Sequence, residues 1–129
     1  MNLEEKIVRE LQNRGYTITT AESCTGGLLA GRILNVSGAS AVYNEGHITY
    51  SNEAKERLLG VSHDTLEQYG AVSEQTAAEM ALGAARVANA NVGLSTTGIA
   101  GPGGGTPEKP VGLVYVGCCI NGDVTVNEI

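Results

Sequence analysis

Glu22-Ser23-Cys24-Thr25-Gly26-Gly27 is the stretch on which the fold turns. It stands between a β-type run, Tyr16 to Thr20, and a helix-type run from about Gly26 to Leu34. Two glycines let the chain turn sharply and let a ligand approach the backbone. The helix that follows points its unpaired N–H groups, and the positive end of its dipole, back at the turn. An anion, or an oxyanion formed during a reaction, is stabilised at such a place. Ser23, Cys24 and Thr25 put three candidate nucleophiles there.

On the N-terminal side, Leu3, Ile7, Val8 and Leu11 recur at helical spacing, and Gly15 sits where a C-cap belongs. A helix over Leu3 to Arg14 is expected. On the C-terminal side, Val42 to Tyr50 reads as a strand interrupted by a bulge at Asn44-Glu45-Gly46. Asn52 to Leu59 reads as a helix closed by Gly60, and Asp64 to Tyr69 as a short helix capped by Asp64. A longer Ala-rich helix starts at Ser73 and runs to about Ala88. Val92 to Thr96 is a buried strand, and a glycine-rich stretch, Thr97 to Pro107, follows it. Val111 to Ile120 is a strand, Asn121-Gly122 a hairpin turn, and Asp123 to Glu128 the returning strand. This alternation predicts a single-domain, three-layer α/β/α sandwich on a mixed sheet, spanning residues 1–129. An edge strand at the end of the chain leads us to expect a further C-terminal helix beyond Ile129.

The chain has 129 residues, enough for one core, and no Phe or Trp, so aliphatic side chains must fill that core. A net charge of −6 argues against nucleic acid as a partner, which needs a basic face. It leaves a small phosphorylated ligand open. Three cysteines, Cys24, Cys118 and Cys119, do not make a disulfide framework. Adjacent strand residues point to opposite faces, so Cys118 and Cys119 are poorly placed to bridge. No spacing suggests a metal site. No signal-peptide core or membrane-length apolar run stands out, and a cytoplasmic location is the expectation.

Several residues are candidates for chemistry. Lys55 falls in the first turn of its helix, where the dipole and any burial favour the neutral amine, a base able to act on a serine. Glu53 and Glu56 oppose this, and the plainer reading is a solvated lysine beside a Glu53–Arg57 pair. Tyr50 is placed to relay a proton between Ser23 and Lys55 or to orient the lysine; its plainer reading is a half-buried strand tyrosine. His47 and His63 lack an obvious carboxylate partner, and the turn at Ser23 is not a GxSxG elbow. Cys24 is a rival nucleophile near a helix N-terminus, without an indicated histidine. The glycine loop does not match the Walker pattern, yet Gly103, Gly104 and Gly105 can present N–H groups to a phosphate.

Taken together, ESCTGG at 22–27, ITYSNEAKERLLGV at 48–61, GAVSEQTA at 70–77 and TGIAGPGGGTPEKPVGLVYV at 97–116 resemble the CinA C-terminal domain family, the nicotinamide-nucleotide amidases. The resemblance covers nearly the whole chain in the right order. It implies a three-layer α/β/α fold, a tendency to dimerise, and no metal or organic cofactor. It implies hydrolysis of the carboxamide of nicotinamide mononucleotide to nicotinate mononucleotide and ammonia. The family's nucleophile falls on Ser23, its tyrosine on Tyr50 and its lysine on Lys55, overriding the plainer readings of the last two. The threonine of its TGIAGP loop falls on Thr97. Thr97, Gly98 and Gly101 would then hold the nucleotide. The N–H groups of Thr25, Gly26 and Gly27 would hold the oxyanion, an expectation drawn from helix geometry. The family usually continues through an arginine-bearing segment and a final helix. A non-catalytic module linked to competence and DNA damage, and a serine amidase for another small amide, are the alternatives.

Overall fold

The computed structural model describes residues 1–129. Its elements are α1 (Leu3–Arg14), β1 (Ile18–Glu22), α2 (Leu28–Leu34), a 3-10 turn (Ala39–Ala41), β2 (His47–Ile48), α3 (Asn52–Leu59), α4 (His63–Tyr69), α5 (Glu74–Ala88), β3 (Val92–Gly98), β4 (Val114–Ile120) and β5 (Asp123–Glu128). One sheet runs β2-β1-β3-β4-β5. β1 is parallel to both β2 and β3, while β3–β4 and β4–β5 are antiparallel. The mixed sheet is therefore the one the sequence predicts.

Two clusters of apolar side chains fix the layers. Val8 and Leu11 of α1, Ile33 of α2, Ile18, Val42 and Val92 pack on one face, with Leu94 and Cys118 beside them. Ala21, Leu59, Val61, Leu66, Met80 and Ala84 pack on the other, where α5 lies on the strands and α3 and α4 lean on α5. Ala81, Ala85 and Cys119 continue that second face. Cys118 and Cys119 thus face opposite layers, and both are free thiols. Burial of these aliphatics removes apolar area from water without any large aromatic ring.

Locally encoded ends match the sequence well. Asn2 and Glu5 form a capping box on α1, and Gly15 closes it in the left-handed conformation. α3 starts one residue after Ser51, whose hydroxyl accepts from the N–H of Ala54, and ends at left-handed Gly60. Ser73 caps α5 through the N–H of Thr76.

Several boundaries differ, and β1 and β3 run on to Glu22 and Gly98, two residues past their expected ends. β1 begins at Ile18, because the N–H of Tyr16 closes α1 on Leu11 and the N–H of Thr17 goes to the Asn91 side chain. α2 begins at Leu28, because Gly26 and Gly27 have φ of 58° and 108°, outside the helical region. α4 begins at His63 with Ser62 in the cap position, so Asp64 lies in the first turn and does not cap. β4 begins at Val114, because Gly112 and Leu113 are tied into a turn with Ile99 and Pro110. The long bulged strand over Val42–Tyr50 shrinks to a bridge at Tyr43 and the two residues of β2. There the Tyr43 hydroxyl pairs with the Thr20 hydroxyl at 2.8 Å, and the Glu45 carbonyl accepts from the Thr19 hydroxyl at 2.7 Å. Between the backbone bonds of Ile18 to Val42 and Glu22 to Thr49, side chains of β1 hold this segment.

Candidate active site

The parallel strands decide where a site can form. From β1 the chain leaves through α2 on one face, and it enters β3 from α5 on the other. The carboxyl ends of β1 and β3 therefore part around a crevice, the place where open α/β sheets bind ligands. A cavity of about 340 Å3 opens there, of ordinary ligand-pocket size. Ser23, Cys24, Tyr50, Lys55, Ala71, Val72 and the loop from Thr97 to Gly104 line it.

Ser23 follows directly on β1. Its N–H extends the ladder to the Thr96 carbonyl at 3.0 Å, which anchors the residue, and its side chain is buried at the crevice floor. Lys55 projects from the first half of α3 and is completely buried. The surface pair expected around it exists, Arg57 with Glu53 at 2.9 Å, but Lys55 takes no part in it. Its Nζ lies 3.1 Å from Ser23 Oγ, 2.8 Å from the Thr49 carbonyl and 3.1 Å from the Tyr50 carbonyl. No carboxylate pairs with it. Burial holds its pKa below the ordinary 10.5, and only Cys24 pulls the other way.

Three acceptors thus surround Nζ, which as an ammonium donates to all of them. A neutral amine keeps its two N–H bonds to the carbonyls and turns its lone pair to the Ser23 O–H, and burial favours that form. The shell is therefore compatible with a base beside a serine hydroxyl.

Tyr50 differs from expectation. It lies in the loop before α3, not in a strand, and its side chain is 78% exposed. Its carbonyl, not its phenol, contacts Lys55, and although Tyr50 is among the lining residues its phenol makes no hydrogen bond to Ser23 or Lys55. Cys24 lines the cavity with its thiol pKa pushed up, first by burial and then by Glu22. His63 is exposed against Glu56 and Glu67, and His47 sits beside Glu45, so neither histidine joins the site.

Thr97, Gly98 and Gly101 line the cavity, with Ile99, Ala100, Gly103 and Gly104 from the same loop. Thr97 spends its hydroxyl proton on the Ala71 carbonyl at 2.7 Å, so towards a ligand it offers only acceptor capacity. Thr25, Gly26 and Gly27 are absent from the lining, and of the three N–H groups expected to hold an oxyanion, those of Gly26 and Gly27 are already taken, so only that of Thr25 stays free. The N–H of Gly27 goes to the Glu22 carboxylate, that of Gly26 to the Ser23 carbonyl, and the Thr25 hydroxyl to Glu22. The sequence reading missed Glu22. Its signal was an acid one residue before Ser23 and immediately upstream of a glycine-led helix.

Fold and site together define a single-domain α/β protein whose crevice carries a buried serine–lysine pair. A family model for the CinA C-terminal domain matches residues 1–129, and the chain belongs to that family. It is 62% identical over 129 residues to a putative competence-damage inducible protein of Clostridium novyi (strain NT), covering all of this chain and 31% of that protein. It is 59% identical over 128 residues to a CinA-like protein of Kosmotoga olearia, covering 99% of this chain and 31% of that one. The chain thus spans about a third of the length of these curated relatives. Among solved structures, competence/damage inducible protein CihA from Agrobacterium tumefaciens superposes with a TM-score of 0.95 at 49% identity, over 98% of this chain and 77% of that one. A CinA superfamily protein from Escherichia coli superposes with a TM-score of 0.95 at 39% identity, over 99% of this chain and 74% of that one.

Proposed function

We propose that this domain is an amidohydrolase that converts nicotinamide mononucleotide to nicotinate mononucleotide and ammonia through a serine acyl-enzyme. The observation that carries this reading is the uncompensated, buried Lys55 with its Nζ 3.1 Å from Ser23 Oγ on a ligand-sized cavity. The family resemblance of the motifs supplies the substrate.

In the proposed reaction, Ser23 Oγ attacks the carboxamide carbon as its proton passes to Lys55 Nζ. Lys55 then hands that proton to the departing nitrogen, the C–N bond breaks and ammonia leaves. Water enters, gives a proton to Lys55 and attacks the ester carbon. The acid is released as Ser23 recovers the proton. The loop from Thr97 to Gly104 holds the nucleotide by its backbone. Tyr50, which lines the cavity, packs on the bound ligand with its exposed side chain, and through its carbonyl it orients Lys55. No metal or organic cofactor has a part in the scheme. The proposal extends to a cytoplasmic homodimer; no helix of the structure is long and apolar enough to cross a membrane.

The test is ammonia release from nicotinamide mononucleotide, wild type beside Ser23→Ala, with nicotinamide and a glutamine-type amide as comparison substrates. Turnover of the mononucleotide that vanishes in Ser23→Ala supports the reading. Turnover retained in Ser23→Ala rejects the nucleophile, and preference for another amide rejects the substrate. The names of the relatives favour a second reading, a competence- or damage-associated module without catalysis. Absence of turnover on every amide, with Ser23 inert, would favour it.

A further inference from the structure

Glu22 is the last residue of β1, one position before the nucleophile, and only 1% exposed. No cation pairs with it. Its Oε1 accepts the N–H groups of Gly27 at 3.2 Å and Leu29 at 2.9 Å, and its Oε2 accepts that of Ala30 at 2.9 Å. The Thr25 hydroxyl donates to the same carboxylate and lies 2.7 Å from the Thr96 hydroxyl on the neighbouring strand. Burial acts to raise the pKa of this group, but the hydrogen bonds from Thr25, Ala30, Leu29 and Gly27 outweigh it and hold the carboxylate below its ordinary range. The negative end that the helix dipole calls for is thus part of the chain itself.

The consequence lies in the donors that remain. Ser23 N–H is bound to the Thr96 carbonyl, Gly26 N–H to the Ser23 carbonyl and Leu28 N–H to the Thr25 carbonyl. Gly27, Leu29 and Ala30 are bound to Glu22. From Ser23 to Ala30, only the N–H groups of Cys24 and Thr25 have no backbone or side-chain acceptor on another residue.

We infer that Glu22 is a positioning residue for acyl transfer at Ser23: its carboxylate closes the far side of the turn and leaves the Cys24 and Thr25 N–H groups as the oxyanion donors beside Ser23 Oγ. The inference rests on the serine acyl-enzyme reading and goes beyond it, because it names donors and the group that holds them. Glu22 touches no substrate. Its effect passes through Thr25 and the first turn of α2. A carboxamide in its place keeps one acceptor oxygen but turns an N–H2 towards a backbone N–H, which opens the turn.

The experiment measures acylation of Ser23 by p-nitrophenyl acetate, following p-nitrophenolate release and the mass of the acetylated chain, over a range of pH. This readout does not depend on the natural amide. In Glu22→Gln the acylation rate should fall about 10- to 100-fold, within the range that oxyanion-hole donors contribute. Its pH midpoint should stay at the wild-type value, since the Lys55 shell is untouched. Thr25→Val, which removes one of the four donors to Glu22, should lose several-fold in the same direction. A Glu22→Gln rate within about twofold of wild type overturns the inference. So does a midpoint that moves towards the ordinary lysine value, which would mark general collapse of the site. Where Glu22→Gln does not fold, Thr25→Val decides, and an unchanged rate overturns the inference. Wild-type acylation without turnover of nicotinamide mononucleotide removes the substrate proposal and leaves this one standing; a Ser23 that acetylates in no form of the protein removes both.

Discussion

At the scale of single residues, Lys55 is the base we propose because no carboxylate neutralises it. An ammonium buried without a carboxylate is costly, so the neutral amine is the resting form over a wider pH range than for a surface lysine. Turnover should rise with pH through a midpoint below 10.5 and then level off, read from a kcat profile. Lys55→Met should lower kcat by at least ~100-fold, the lower end of what a general base contributes. Lys55→Arg should do no better, because a guanidinium keeps its protons and has no lone pair to offer Ser23. Tyr50→Phe is the milder change: with no hydroxyl bond to Ser23 or Lys55, it should cost less than about tenfold in kcat/KM, through KM. The position of Ser23 at the floor of the crevice was legible in the sequence, because a serine between a strand and two glycines is a local pattern. The burial of Lys55 was not, since Asn-Glu-Ala-Lys-Glu-Arg has the charge pattern of a solvated helix. Only packing of α3 against α5 turns that one side chain inward.

At the scale of elements, α5 shows how closely a helix can lie on this sheet. Gly93 of β3 faces the Ala81 carbonyl and Ala85, Gly117 of β4 faces the Ala77 carbonyl, and the Ser95 hydroxyl donates to that carbonyl at 2.6 Å. On the other side of α5, Gly83 lies against the Leu59 carbonyl at the end of α3. Helix propensity alone favours Gly83→Ala by about 1 kcal/mol. The added methyl would overlap the Leu59 backbone, which cannot swing away as a side chain can. The contact should win, with Gly83→Ala destabilising the fold by about 1–3 kcal/mol in urea denaturation. A stabilised variant would mean that α3 shifts without cost. The same contrast explains which elements the sequence revealed. The helices Leu3–Arg14 and Asn52–Leu59 carry their stop signals within a few residues, in Gly15 and Gly60, and their limits were read correctly. β2 has no such signal: its two residues exist because Thr19 and Thr20 hold the preceding chain alongside β1.

At the scale of the whole molecule, the alternation of elements was enough to give the layers and the mixed sheet. The strand order β2-β1-β3-β4-β5 was not readable, because it depends on which face each crossover takes. That order places the crevice, and the crevice gathers Ser23, Lys55 and the loop after Thr97 from three separated segments. The same burial sets how stability depends on pH. The Glu22 carboxylate titrates below its ordinary 4.5 in the folded protein, so the unfolded chain takes up that proton first on acidification. Its contribution is complete above 4.5 and is lost as pH falls through the folded value. Lys55 also has a lowered pKa, but as a base. Between its folded value and 10.5 the unfolded chain holds the extra proton, so stability increases with pH across that interval and is level above it. Unfolding free energy from urea titrations should therefore climb with pH on the acid side; on the alkaline side the raised Cys24, Tyr43, Tyr115 and Cys118 groups act in the opposite sense, so the Lys55 rise is read as the difference between wild type and Lys55→Met. Lys55→Met should remove the Lys55 contribution to the alkaline rise and leave the acid one, while Glu22→Gln should do the converse. An alkaline profile identical in wild type and Lys55→Met would mean that the lysine is protonated in the folded protein. The lone pair that Ser23 needs would then be missing at neutral pH, and the acyl-transfer scheme would require another base.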